Sequence, residues 1–110
     1  MEQRVRALLI EDDPDYTLLM NMYVGEACGQ TLRYELECAD SLQSGLGRLA
    51  RAEFDIVLTD LMLPDCRGLE TLARVQAKAP GLPVVVLTNV DQDGVGLEAI
   101  SRGAQDFLSK

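Results

Sequence analysis

An α/β domain on one five-stranded parallel sheet, with helices on both faces, is the fold class this sequence predicts. Short apolar runs alternate with longer segments of helical periodicity. The runs "VRALLI" (5–10), "FDIVLT" (54–59) and "PVVVLT" (83–88) are rich in Val, Ile and Leu and bounded by turn residues, as strands buried on both faces are. A length of 110 residues suits a single domain, and 47% apolar with 25% charged residues is the balance of an ordinary globular chain.

The elements follow in order. The first strand (5–10) runs into the acids Glu11, Asp12 and Asp13. A helix over 14–27 places Tyr16, Leu19, Met20, Tyr23, Val24 and Ala27 on one face. Pro14 fits its first turn, where a missing N–H costs nothing, and Asp13 is its N-cap. "LRYELEC" (32–38) alternates more and reads as a strand nearer an edge. The second helix (41–52) has Leu42, Leu46, Leu49 and Ala50 on one face. The third (68–79) presents Leu69, Leu72, Ala73 and Val75, and Pro80-Gly81 stops it. The fourth (92–102) contains Gly94 and Gly96, each costing roughly 1 kcal/mol relative to Ala, and is expected to be the least rigid. "DFLS" (106–109) is the fifth strand. Right-handed crossovers then favour the flavodoxin-like, doubly wound strand order 2-1-3-4-5. A dinucleotide-binding fold is disfavoured, because acids rather than GxGxxG follow the first strand. No repeat, low-complexity tract or linker divides the chain, so residues 1–110 read as one domain.

Composition excludes several classes of function. Eighteen acids against ten bases leave a net charge of −8, which repels nucleic acid and anionic membranes. The absence of histidine removes a Ser-His-Asp triad, a histidine base and the usual zinc ligands within this chain. Cys28, Cys38 and Cys66 are odd in number and lack metal or dithiol spacing, so they read as reduced thiols. No apolar run approaches the roughly 20 residues of a membrane span, nor is there a signal-peptide pattern; the expected setting is cytoplasmic.

In a parallel sheet of this kind ligands bind outside the carboxyl ends of the strands. There the sequence places Glu11, Asp12 and Asp13 after strand 1, Asp60 after strand 3, Thr88 at the end of strand 4 and Lys110 after strand 5. Clustered carboxylates raise one another's pKa unless a cation compensates them, and a hard ion such as Mg²⁺ takes such oxygen ligands. Metal-binding acids, a carboxylate nucleophile, a hydroxyl and a lysine together suit phosphoryl transfer, where catalysis is mostly positioning and charge neutralisation.

The stretches "LLIEDDP", "FDIVLTDLMLPDCRGLETL", "PVVVLT" and "GAQDFLSK", in this order and spacing, resemble the receiver domain of two-component response regulators over almost the whole chain. The resemblance implies Mg²⁺ bound by Glu11 and Asp12, with the phosphoacceptor Asp60 and the backbone carbonyl of Met62 completing the metal set. It further implies Thr88 as the switch hydroxyl, Lys110 as the phosphate-contacting lysine and Phe107 as the switch aromatic. The implied partners are a sensor histidine kinase or phosphotransfer protein that donates from phosphohistidine, and an output domain in cis or in trans. The implied chemistry is confined to the domain's own phosphorylation and dephosphorylation.

Two departures stand out. Asn89 follows Thr88 where the family usually has a smaller residue, and the chain stops at Lys110 where the family continues with a proline and a fifth helix. Without that helix, sheet surface beside helix 1 is expected to be bare, as in a piece of a longer protein or a chain that self-associates into a homodimer. Two rival functions are a degenerate receiver that only binds partners and an aspartate-nucleophile phosphatase. The intact acid pair, Asp60, Thr88 and Lys110 argue against the first. Met62 argues against the second, because such phosphatases carry another aspartate two residues after the nucleophile.

Overall fold

The computed structural model describes residues 3–28, 32–89 and 93–110. It contains β1 (Gln3–Ile10), α1 (Pro14–Cys28), β2 (Leu32–Ala39), α2 (Leu42–Arg51), β3 (Ile56–Asp60), α3 (Leu69–Lys78), β4 (Val84–Thr88), α4 (Asp93–Ser101) and β5 (Asp106–Ser109). The strands form one parallel sheet in the order β2-β1-β3-β4-β5. Both the element order and the strand order agree with the sequence reading.

The central strands carry apolar residues on both faces because each face is covered. Alternate residues divide between two clusters, as a period of two requires. Leu8 and Ile10 of β1, Val57 of β3 and Val84 and Val86 of β4 pack with Leu42 of α2, Leu72 and Val75 of α3 and Ala99 of α4. Ala7, Leu9, Leu58, Val85 and Leu87 face the other way and meet Met20 of α1. Three helices therefore share one face and α1 lies on the other. Around this second face Leu58 and Val85 are 9% exposed, whereas Leu108, beside Leu87 in register, is 42% exposed.

Helix faces depart from the periodic reading in three places. In α1, Met20 is buried while Leu19 and Tyr23 are 42% and 58% exposed. One helix meets one sheet, so it can bury only a narrow stripe, and the second apolar column of α1 is left outside. In α2, Leu42 and Gly45 are buried and Ala50 is exposed. In α3, Thr71 is buried with Leu72 and Val75, and Ala73 is exposed. Small residues signal helix faces poorly, since Ala and Thr gain little or nothing from either environment. The side chains of Ala27 and Cys28, and Gln92 at the expected start of the fourth helix, lie outside the described residues.

Close backbone approach sets Gly45. A Cβ there would lie 2.5 Å from Ile10 Cδ1 and 2.8 Å from Cγ1, so glycine lets α2 settle onto β1. Asp13 caps α1 as expected: its Oδ1 accepts the Asp15 N–H at 3.0 Å and its carbonyl accepts that of Thr17 at 3.0 Å.

Candidate functional site

Two strand ends and the chain's last residue build the site at the carboxyl edge. The backbone N–H of Glu11, just past β1, donates to the Ala39 carbonyl of β2 at 2.9 Å, which extends the pairing and directs the next residues. Glu11 is buried (3% exposed) and Asp12 is exposed. Glu11 Oε2 accepts the N–H groups of Asp12 at 3.0 Å and Asp13 at 3.4 Å, so the carboxylate that begins the turn also braces it. Asp60, the last residue of β3, is 5% exposed. Its Oδ1 accepts the Met62 N–H at 3.0 Å and its Oδ2 accepts the Lys110 ammonium at 2.7 Å.

Lys110 reaches the carboxylates because its own N–H donates to the Thr88 carbonyl at 2.7 Å, continuing the β4–β5 ladder by one step. Its ammonium is ion-paired with Glu11 Oε1 as well as Asp60, and lies 4.8 Å from the centre of the Tyr16 ring. The Thr88 hydroxyl is buried and donates to the Leu108 carbonyl at 3.5 Å, a long bond directed at β5. Phe107 is half-buried against the cluster beneath α4. Its ring occupies the space over Gly96, where a Cβ would come within 2.6 Å of Cγ and 2.7 Å of Cε2.

The loop after Asp60 is tied at several points. The Leu63 N–H donates to Cys66 at 3.0 Å and the Gly68 N–H to Leu61 at 2.6 Å. Gly68 adopts φ 74°, ψ −156°, a conformation open essentially to glycine, and so turns the chain into α3. Asp65 reaches across to α2, accepting the N–H groups of Leu42 at 2.8 Å and Gln43 at 2.9 Å. Those bonds hold its carboxyl below the usual carboxylate range.

Charge at the site follows from burial and crowding. Burial pushes the Glu11 carboxyl up to about 7; Lys110 draws it down and Asp60 adds to the rise. Burial lowers the pKa of Lys110, but its bonds to Asp60 and Glu11 and their charge outweigh that, so it lies above its ordinary value. Glu11, Asp12 and Asp60 each offer a carboxylate oxygen, and these atoms lie within 4.8 Å of one another. Oxygen atoms this close could be shared by one small hard cation such as Mg²⁺, which takes carboxylate ligands. An all-oxygen set, two of its carboxylates buried, fits a hard divalent cation and not a soft one.

The structure thus gathers Glu11, Asp12, Asp60 and Lys110, and sets Thr88 and Phe107 on the adjoining strands. Asp65 was not singled out as a functional residue in the sequence, because its partner helix begins 23 residues upstream and no local pattern links them. Tyr16 read only as a helix-face residue, since a ring-to-ammonium contact between the first helix and the end of the chain leaves no periodic trace.

A parallel sheet with carboxylates and a lysine at its carboxyl edge defines an α/β domain whose candidate site lies where such sheets bind ligands. The family model of the response regulator receiver domain matches residues 7–110, and the chain belongs to that family, the receivers of two-component signalling systems. It is 32% identical over 107 residues to the response regulator protein PilR of Pseudomonas aeruginosa, covering 97% of this chain and 23% of the relative. It is 31% identical to the probable transcriptional regulatory protein TcrX of Mycobacterium tuberculosis, covering 98% of this chain and 44% of the relative. The chain therefore spans less than half the length of either. The solved structure of full-length FixJ from B. japonicum superposes with a TM-score of 0.82 at 26% identity, over 98% of this chain and 51% of that one. A response regulator structure from Chloroflexus aurantiacus shares the fold at a TM-score of 0.83 and 23% identity, covering 98% and 86%. Receivers are signalling domains, and among the described residues no helix is long and apolar enough to cross a membrane.

Proposed function

We propose that the chain accepts a phosphoryl group on Asp60 from the phosphohistidine of a partner kinase or phosphotransfer protein. A carboxylate oxygen of Asp60 attacks phosphorus; the P–O bond forms as the P–N bond breaks, and the departing imidazole nitrogen keeps the electron pair. With no histidine of its own, the chain needs that donor in trans. The observation that carries the reading is the setting of Asp60: buried, fixed by the Met62 N–H, bonded to Lys110 and flanked by Glu11 and Asp12.

Each residue has a distinct part. Glu11, Asp12 and Asp60, with the Met62 carbonyl, would hold Mg²⁺, and the ion would offset negative charge on the phosphoryl oxygens. Lys110 already touches the carboxylate that changes and follows the charge onto the phosphoryl group. Thr88 exchanges its long bond to the Leu108 carbonyl for a phosphoryl oxygen. That frees the space into which Phe107 turns more deeply, a shift between two packings of the α4–β5 face that an output domain, in cis or in trans, reads. The domain also speeds hydrolysis of its own acyl phosphate, acts on no other substrate and works in the cytoplasm, with residues 1–110 forming one receiver domain cut off after its fifth strand.

Incubation with acetyl phosphate, with and without Mg²⁺, followed by intact mass tests this. One phosphoryl adduct is expected on the wild type with metal and none on Asp60→Asn. An adduct forming equally on that variant, or fully without metal, would overturn the mechanism; no adduct at all would leave a receiver that only binds.

A further inference from the structure

We propose that Tyr16 is a positioning residue for this site, its ring face keeping the Lys110 ammonium directed at Asp60. The role rests on the phosphoacceptor reading above and adds a residue to it. Lysine carries its charge on four rotatable carbons, and Lys110 has one backbone bond, to Thr88, to fix its stem. The ammonium therefore needs lateral confinement. Two carboxylates provide part of it, and the Tyr16 ring, 4.8 Å away, is well inside the roughly 6 Å reach of a cation–π contact. Tyr16 is the third residue of α1, in the turn that Asp13 caps, and its ring packs on the cluster containing Leu9 and Met20. The ring thus stands on a rigid support while the lysine is the movable member.

The arrangement matters most once transfer begins. Asp60 Oδ2 holds Lys110 only while the carboxylate keeps its charge. When the P–O bond forms, charge moves outward onto the phosphoryl oxygens, and the lysine must follow without swinging into solvent. The ring, like Glu11 on the other contact, keeps its attraction for the ammonium while the Asp60 carboxylate is phosphorylated. The π face does this, not the phenol, so phenylalanine is sufficient.

Tyr16→Phe, Tyr16→Leu and the wild type are compared for phosphorylation rate with acetyl phosphate at saturating Mg²⁺, and by NMR of the Lys110 ε-methylene group. Tyr16→Leu is expected to react about fivefold more slowly, equal to about 1 kcal/mol, with Tyr16→Phe within roughly twofold of wild type. The ε-methylene signal is expected upfield, shielded by the ring, in the wild type and Tyr16→Phe, and at an ordinary lysine position in Tyr16→Leu. An unshielded signal in the wild type overturns the proposal with no variant required. It is equally overturned by an unchanged rate in Tyr16→Leu or by a Tyr16→Phe rate as slow as that of Tyr16→Leu. A wild type that takes no phosphoryl group removes the phosphoacceptor reading and the transfer role together, while the shielding separately records whether ring and ammonium are in contact.

Discussion

Lowering the pH from 8 to 6 is expected to weaken Mg²⁺ binding about tenfold, because the metal competes with a proton for Glu11. Burial raises this carboxyl from 4.5 to about 7. If only the ionised form binds metal, the apparent dissociation constant scales as one plus the ratio of proton concentration to the acid constant. That factor is about 1.1 at pH 8, about 2 at pH 7 and about 11 at pH 6. Calorimetric Mg²⁺ titrations at these three pH values check it, and Glu11→Gln is expected to bind more weakly throughout with the pH dependence removed. An affinity at pH 6 within twofold of that at pH 8, or an unchanged slope in Glu11→Gln, would refute the reasoning. Stability in the absence of metal carries the same signature. The folded pKa lies above the unfolded one, so the penalty for a buried charge is absent below about 4.5 and complete above about 7. The metal-free domain is therefore expected to lose up to about 3 kcal/mol as pH rises through that window, and Mg²⁺ to restore stability at its upper end. Thermal melts at pH 5 and pH 8, with and without metal, read both effects.

Three substitutions test the scaffold. Asp65→Ala removes the acceptor of two N–H groups at the start of α2 and is expected to cost about 1–2 kcal/mol in urea unfolding. Because the native carboxyl is held low, that contribution is present above the ordinary value of 3.8 and fades as pH falls through the lower native value. Gly45→Ala drives a Cβ against the fully buried Ile10 and is expected to destabilise by roughly 1–2 kcal/mol after the gain in helix propensity, measured the same way. Gly96→Ala puts a Cβ where the Phe107 ring lies. That ring is only half-buried and can turn outward, so stability is expected to change by less than about 1 kcal/mol while contacts between the ring and α4 vanish from NOE spectra.

How much could be read beforehand depended on the range of the interaction. Strands such as 84–88 were legible because burial on both faces leaves no polar position to interrupt the run. The order of the sheet followed from alternation and handedness. The gathering of Glu11, Asp60, Thr88 and Lys110 at one edge was legible for the same reason, since each follows or ends a parallel strand. What escaped was lateral. Nothing local distinguishes Leu19 and Tyr23 from Met20 on α1, because the stripe that is buried depends on how one helix tilts over β1 and β2. Asp65 and Tyr16 act on partners far along the chain, and the use of Gly96 as a seat for Phe107 exists only once α4 lies beside β5. The glycines of α4 had read as a source of looseness; at Gly96 the structure shows a fitted recess as well.

The bond between the Lys110 N–H and the Thr88 carbonyl has a mechanical consequence. Together with the Thr88 hydroxyl on the Leu108 carbonyl, it laces the tips of β4 and β5 at adjacent rungs. Lys110 at the acid cluster is therefore tied directly to Thr88, and Thr88 is tied to β5 a second time. β5 is only four residues long and three of its residues are exposed, so these laced tips stand at the rim of the sheet. Under the mechanism proposed above, so short a strand would couple a shift of Lys110 at the carboxylates to one of Thr88 at the rim of the sheet.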